Sequence, residues 1–200
     1  MGPQEDLLRS FKLVPELRPK YHLDDPQTDV YVGDCREVLA QLPEESVDLI
    51  FADPPFNWNV PYSDWNDNMK REDYLEFTRQ WLDACLRVLA PHGSLWVNIP
   101  DDWAAEVVMY LKGGNAGGTR GEPTQSPSRR EERRGEAGSR VPLALVNWCI
   151  WHFRFGQCRK SNFIVSKVHV LYFARDRRNR IWNPDRILVP SDRATIYNDA

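Results

Sequence analysis

Apolar positions along this 200-residue chain fall into short runs and one long helical stripe. Val47-Asp48-Leu49-Ile50-Phe51-Ala52 is short, mostly apolar and partly β-branched, the pattern of a buried strand. Ser94-Leu95-Trp96-Val97-Asn98-Ile99 reads the same way. Between them Tyr74, Thr78, Trp81/Leu82, Cys85/Leu86 and Leu89 recur every three to four positions, with Glu72 and Asp73 in the first turn. This predicts a helix over 71–90, ended by Pro91 and Gly93. Asp29-Val30-Tyr31-Val32-Gly33 predicts an earlier strand, and Val38, Leu39 and Leu42 a short helix from Cys35 that Pro43 stops. Strand, helix and strand over 29–52 then predict a βαβ unit with parallel strands. After Pro100, Asp101 or Asp102 is placed to cap a helix running to about Lys112. Residues 143–151 predict a strand. Residues 163–165 and 168–173 predict one or two more, after a basic loop carrying Arg154, Arg159 and Lys160.

The remaining stretches lack period. Residues 1–28 are polar and Pro-rich, with an apolar patch only at Leu7-Leu8 and Phe11, and read as a loosely ordered lead-in. Residues 57–70 are rich in Asn, Asp and Trp and read as a long loop, of the kind that serves as a lid or substrate loop. Residues 113–140 hold seven of the eleven glycines and six Arg against four Glu, with almost nothing apolar. Such a segment buries too little surface to offset its ordering entropy and is expected to be disordered. Its mixed charge favours a solvated linker over a nucleic-acid arm. The tail from Arg175 is basic, then irregular; residues 191–200 close the chain. The catalytic region is thus expected over 29–112 and 141–190.

Composition narrows the picture modestly. A net charge of −3 does not announce a nucleic-acid binder, so any basic surface has to be local. Cys35, Cys85, Cys149 and Cys158 are scattered, with no CxxC pair and no metal-ligand spacing, as expected of reduced cytoplasmic thiols. No run approaches a membrane span and none reads as a signal segment, so a cytoplasmic protein is expected.

The candidate site is Asp53-Pro54-Pro55-Phe56. Two prolines cannot extend a central strand, so an acid and an aromatic stand rigidly at a strand's carboxyl end. Ligands bind there in open α/β sheets, although Asp and Pro also make ordinary turns. Asp34 ends the preceding strand and reads equally as a helix N-cap. Arg154, Arg159, Lys160 and Lys167 are candidate phosphate contacts, each individually also a plain solvated charge. His152 and His169 have no partner at ligand spacing and read as core or surface histidines.

Gly33-Asp34-Cys35, then Leu42-Pro43-Glu44-Glu45-Ser46-Val47-Asp48-Leu49-Ile50 running into Asp53-Pro54-Pro55-Phe56, resembles the DNA amino-methyltransferases of adenine N6 and cytosine N4. Arg87-Val88-Leu89-Ala90-Pro91-His92-Gly93-Ser94-Leu95, Trp148 to Trp151 and Val170-Leu171-Tyr172-Phe173 resemble later parts of that family. The resemblance covers most of 29–190 apart from 113–140. It implies an α/β, Rossmann-like sheet and S-adenosylmethionine as methyl donor. It further implies double-stranded DNA with a flipped target base, no metal, and a site-specific modification role of the restriction–modification kind.

In the family's terms Asp53 and the Pro54 carbonyl accept the two N–H groups of the target amine, Pro55 adds rigidity, and Phe56 stacks on the base. Asp34 would contact the adenosyl part of the donor. The family usually has Tyr where Phe56 stands, which leaves adenine and cytosine both open. It also carries a Phe-x-Gly-x-Gly cofactor loop, which in this permuted order follows the Asp-Pro-Pro-Phe half, whereas after Arg140 this sequence has only Gly156. The sequence is therefore expected to be an incomplete, C-terminally truncated methyltransferase sheet with its cofactor-loop half missing. Two alternatives stay open: a non-catalytic DNA-binding remnant, and an RNA base methyltransferase. Asp53 argues against the protein-amide enzymes, which resemble Asn-Pro-Pro-Tyr at this turn.

Overall fold

The structure, a computed structural model, describes residues 18–113, 142–156, 160–189 and 196. The segment expected to be disordered, 113–140, lies outside the described residues except for Gly113, and so does the 191–200 tail except for Ile196.

The chain begins its described part with a hairpin of β1 (Tyr21–Asp24) and β2 (Gln27–Val30), paired from Tyr21↔Val30 to Asp24↔Gln27. Two expectations change here. Order starts inside the segment read as a lead-in, and the strand expected over 29–33 ends at Val30 in this separate hairpin. Gln27-Thr28-Asp29-Val30 is too polar for a strand buried within a parallel sheet, so it pairs locally. The βαβ unit expected over 29–52 therefore does not form.

Helix α1 (Cys35–Ala40) leads to β3 (Val47–Ala52). Helix α2 (Arg71–Val88) then carries the chain to β4 (Leu89–Ile99), which lies parallel to β3 with Ile50 opposite Leu95 and Ala52 opposite Val97. This longer crossover, β3–α2–β4, is the βαβ unit among the described residues. The helix ends two residues earlier than its pattern implies, and β4 runs through Pro91.

Helix α3 (Asp101–Leu111) follows, with Pro100 at its N-cap position and no side-chain cap. Asp101, expected as a cap, turns instead to Lys167 and His169. Strands β5 (Ala144–His152) and β6 (Lys167–Ala174) complete a four-stranded mixed sheet in the order β3-β4-β6-β5. Residues 163–165, expected as a strand, form none.

One face of the sheet carries the core. Leu95, Val97 and Ile99 of β4 and Leu171 and Phe173 of β6 pack with Tyr74, Trp81, Leu82 and Leu86 of α2 and Trp103, Val107 and Leu111 of α3. On the other face Trp96 and Tyr172 stack at 4.1 Å, 6° from parallel, and Arg180 lies 5.9 Å from the Tyr172 ring. Leu49 and Phe51, on that second face of β3, remain 60% and 57% exposed. The described part is thus a helix layer on one side of a sheet. No described helix is long and apolar enough to cross a membrane. Cys35, Cys85 and Cys149 are free, and burial pushes the Cys85 thiol up to about 12.

Candidate active site

Because β3 and β4 are parallel neighbours paired at Ala52 and Val97, the next residue of each, Asp53 and Asn98, meet just beyond the pairing. The Asn98 Nδ2 donates to Asp53 Oδ1 at 2.9 Å. Two helices hold the rest of the turn. The Tyr74 hydroxyl of α2 donates to the Pro55 carbonyl at 2.7 Å, and the Trp103 indole N–H of α3 donates to the Phe56 carbonyl at 2.9 Å. Burial pushes the Tyr74 phenol well above its usual range, so it stays a neutral donor. Asp53 Oδ2 and the Pro54 carbonyl accept no hydrogen bond from the described residues. Two acceptors are left open on a turn whose Pro55 and Phe56 carbonyls are engaged.

The loop over 57–70 is anchored by one buried acid. Asp67, 3% exposed, accepts from the backbone N–H of Asn57, Trp58 and Val60 at 2.9, 2.9 and 3.0 Å. Asn57 adds a reciprocal pair with Met69, donating to its carbonyl and accepting from its N–H. Asn57 and Asn59 take left-handed backbone, φ 60° and 61°, which Asn tolerates better than most residues. This folds the loop back so that Phe56 and Trp58 meet edge to face at 5.1 Å.

The result is a cleft of about 400 Å³ lined by Asp53, Pro54, Pro55, Phe56, Trp58 and Asn98 among others. Trp58 and Val60 also border a second cleft of about 740 Å³, which reaches Asp101, Asp102, Phe153 and Lys167. The Trp58 indole N–H donates to Asp102 at 3.0 Å and so ties the dividing wall to α3. In the second cleft Asp101 binds both Lys167 and His169, and His169 Nδ1 accepts from the Trp148 indole N–H at 2.8 Å. Lys167 first, then His169, hold the Asp101 carboxyl below the ordinary carboxylate range.

Of the residues singled out from sequence, Asp53, Pro54, Pro55 and Phe56 line one cleft together. Asp34 lines neither cleft. It caps α1, accepting the Arg36 N–H at 2.9 Å, and the Arg36 side chain on it keeps its carboxyl below the usual range. Arg36 in turn lies over Phe77 of α2 at 5.2 Å. Arg154 and Lys160 are exposed, Lys167 is taken up by Asp101, and Arg159 lies outside the described residues. No metal-binding group of His, Cys, Asp and Glu occurs among the described residues. Sequence reasoning missed Asn98, Tyr74, Asp67 and Trp103, while His169 is the buried histidine that was one of its two readings, bonded to Trp148 and Asp101. Only Asn98 left a signal: like Asp53, it is a polar residue at the carboxyl end of an apolar strand.

The family model described as DNA methylase matches residues 47–196, which takes in the cleft and all of the main sheet. The chain belongs to the DNA methylase family. Among curated proteins it is 30% identical over 182 residues to the type II methyltransferase M.BamHI of Bacillus amyloliquefaciens, covering 90% of this chain and 36% of that one. It is 27% identical to M.HpaI of Haemophilus parainfluenzae, covering 77% of this chain and 41% of the relative. This methylase chain therefore spans roughly two fifths or less of the relatives it matches. Its fold is similar to that of PvuII DNA methyltransferase (cytosine-N4-specific), with a TM-score of 0.56 at 16% identity, over 82% of this chain and 55% of that one.

Proposed function

We propose that this chain is the amine-binding part of a site-specific DNA methyltransferase that moves a methyl group from S-adenosylmethionine to the N6 of adenine or the N4 of cytosine. The observation that carries the reading is the pair of open acceptors, Asp53 Oδ2 and the Pro54 carbonyl, on a turn fastened by Tyr74 and Trp103. An exocyclic amine is a poor nucleophile because its lone pair is delocalised into the ring. Two acceptors, one for each N–H, favour a pyramidal nitrogen and free the lone pair for attack. Fixing them beforehand removes the reorganisation cost as charge develops on nitrogen. Phe56 and Trp58 give the cleft aromatic faces for a base taken out of the stack, as enzymes acting on bases require. Stacking of this kind is worth about 1–3 kcal/mol per base.

The donor side is different. S-adenosylmethionine supplies the methyl group in this chemistry, but the described residues compose no glycine-backed cradle for it beside Asp53. Gly93 sits under Leu89, and Gly156 is pressed against Ile164 and Val165. Asp34 is the chain's candidate for the adenosyl part, and Arg36 already engages it. Every step assigned to this chain therefore concerns the amine: it accepts, orients and stacks.

The test is transfer of labelled methyl from S-adenosylmethionine to DNA by the purified chain, alongside calorimetry with the same donor. Once joined to a donor-binding part from a relative, wild type is expected to label exocyclic amines, and Asp53→Ala to lose at least about a hundredfold in rate, the scale of removing one well-placed transition-state group. Labelling by Asp53→Ala at the wild-type rate overturns the role of the acid. No donor uptake and no labelling by wild type favours a chain that binds the base without transferring methyl.

A further inference from the structure

We infer that Asn98 is a positioning residue for Asp53, fixing which carboxylate oxygen faces the amine, and that this amide is retained for recognition at a cost in stability. The inference rests on the amine-binding reading above. Asn98 stands at the end of β4 beside Asp53 and lines the same cleft, with Nδ2 2.9 Å from Asp53 Oδ1. The opposite amide orientation would set two acceptors against each other, so Nδ2 is the atom that faces the acid. With Oδ1 engaged, only Oδ2 of Asp53 is offered outward, and the carboxylate plane is set before a base arrives.

The other end of the amide identifies its purpose. Asn98 Oδ1 is buried and has no hydrogen-bond partner among the described residues. A side chain selected only to finish the strand would not leave a buried acceptor unpaired. On its own face of β4, Trp96 two residues back stacks on Tyr172 and Val170 lies directly opposite in β6, so an apolar side chain would suit this strand end. An apolar side chain of similar shape removes that unpaired acceptor, and the exposed Asp53 oxygen it releases is hydrated, so the exchange is neutral or stabilising. A structural role and a positioning role therefore predict opposite changes in melting temperature.

The experiment measures binding of the full chain to short single-stranded oligomers of adenine or cytosine, and to the same oligomers built from purine or 2-pyrimidinone, which lack the amine. Wild type is expected to prefer one amine-bearing oligomer about tenfold over its partner, the scale of a hydrogen bond to a charged group. Asn98→Leu and Asn98→Asp should each bring that ratio to within about twofold of one, as Asp53→Ala does, while Asn98→Leu melts no lower than wild type. An Asn98→Leu chain that keeps the wild-type ratio overturns the proposal. So does one that loses the ratio and several degrees of melting temperature together. If wild type and Asp53→Ala show the same ratio, the amine-binding reading itself falls, and this inference with it.

Discussion

Asp67 shows how much one residue can organise in this protein. Its carboxylate satisfies three backbone N–H groups of a loop that has no regular structure of its own. Asp67→Ala takes the acceptor from three part-buried donors, so a loss of about 1–2 kcal/mol is expected in urea unfolding, with release of Trp58 from the cleft wall. Retention of wild-type stability would mean that water replaces the carboxylate at no cost. Asp67 left no signal as a site residue and Asn98 only its place at a strand end, because each acts by meeting a partner that the fold brings to it. Asp53-Pro54-Pro55-Phe56 was legible because its rigidity is local: two fixed φ angles and a strand end are properties of consecutive residues.

Between elements, the junction of β4, α3 and β6 is held by charge. Asp101 opens α3 and binds Lys167 and His169 from β6. Lys167 foremost holds its carboxyl below the ordinary value of 3.8. A lowered folded-state pKa contributes stability that is present above the unfolded value and fades as pH falls through the folded one. The stability difference between wild type and Asp101→Asn should therefore be steady above about pH 5 and shrink toward zero in acid. With Asp101 55% exposed, it should not exceed about 1 kcal/mol. Chemical unfolding across that range measures it, and a difference growing toward low pH would contradict the assignment. The same contact explains the failed cap. The N-cap preference of Asp was read from sequence alone, and Lys167, 66 positions along the chain from Asp101, outcompeted it.

At the scale of the molecule, the sheet is covered by helices on one face, and β3 is an edge strand among the described residues. Leu49 and Phe51 consequently contribute little to the fold of this chain as described. Phe51→Thr is expected to change unfolding free energy by less than about 0.5 kcal/mol, the range of ordinary surface substitutions. Leu95→Ala, in the core on the opposite face, should cost about 2–5 kcal/mol. Equal effects of the two in thermal or urea unfolding would show that the exposed face is covered in solution.

Sequence alone determined the elements whose signal is local and strong. These are the apolar runs of β3 and β4, the stripe of α2, and the proline-stiffened turn with an acid and an aromatic at a strand's carboxyl end. It also carried the family resemblance, because the order of motifs survives without coordinates. Tertiary structure decided which strands are neighbours, and with that which side chains meet. The run over 29–33 looked like a sheet strand, yet its polar start paired within a hairpin instead. Asp34 caps α1, one of its two readings, with Arg36 on its carboxylate. Asn98 became a partner of Asp53 through the parallel register of β3 and β4, and a register is a relation between strands that neither strand encodes by itself.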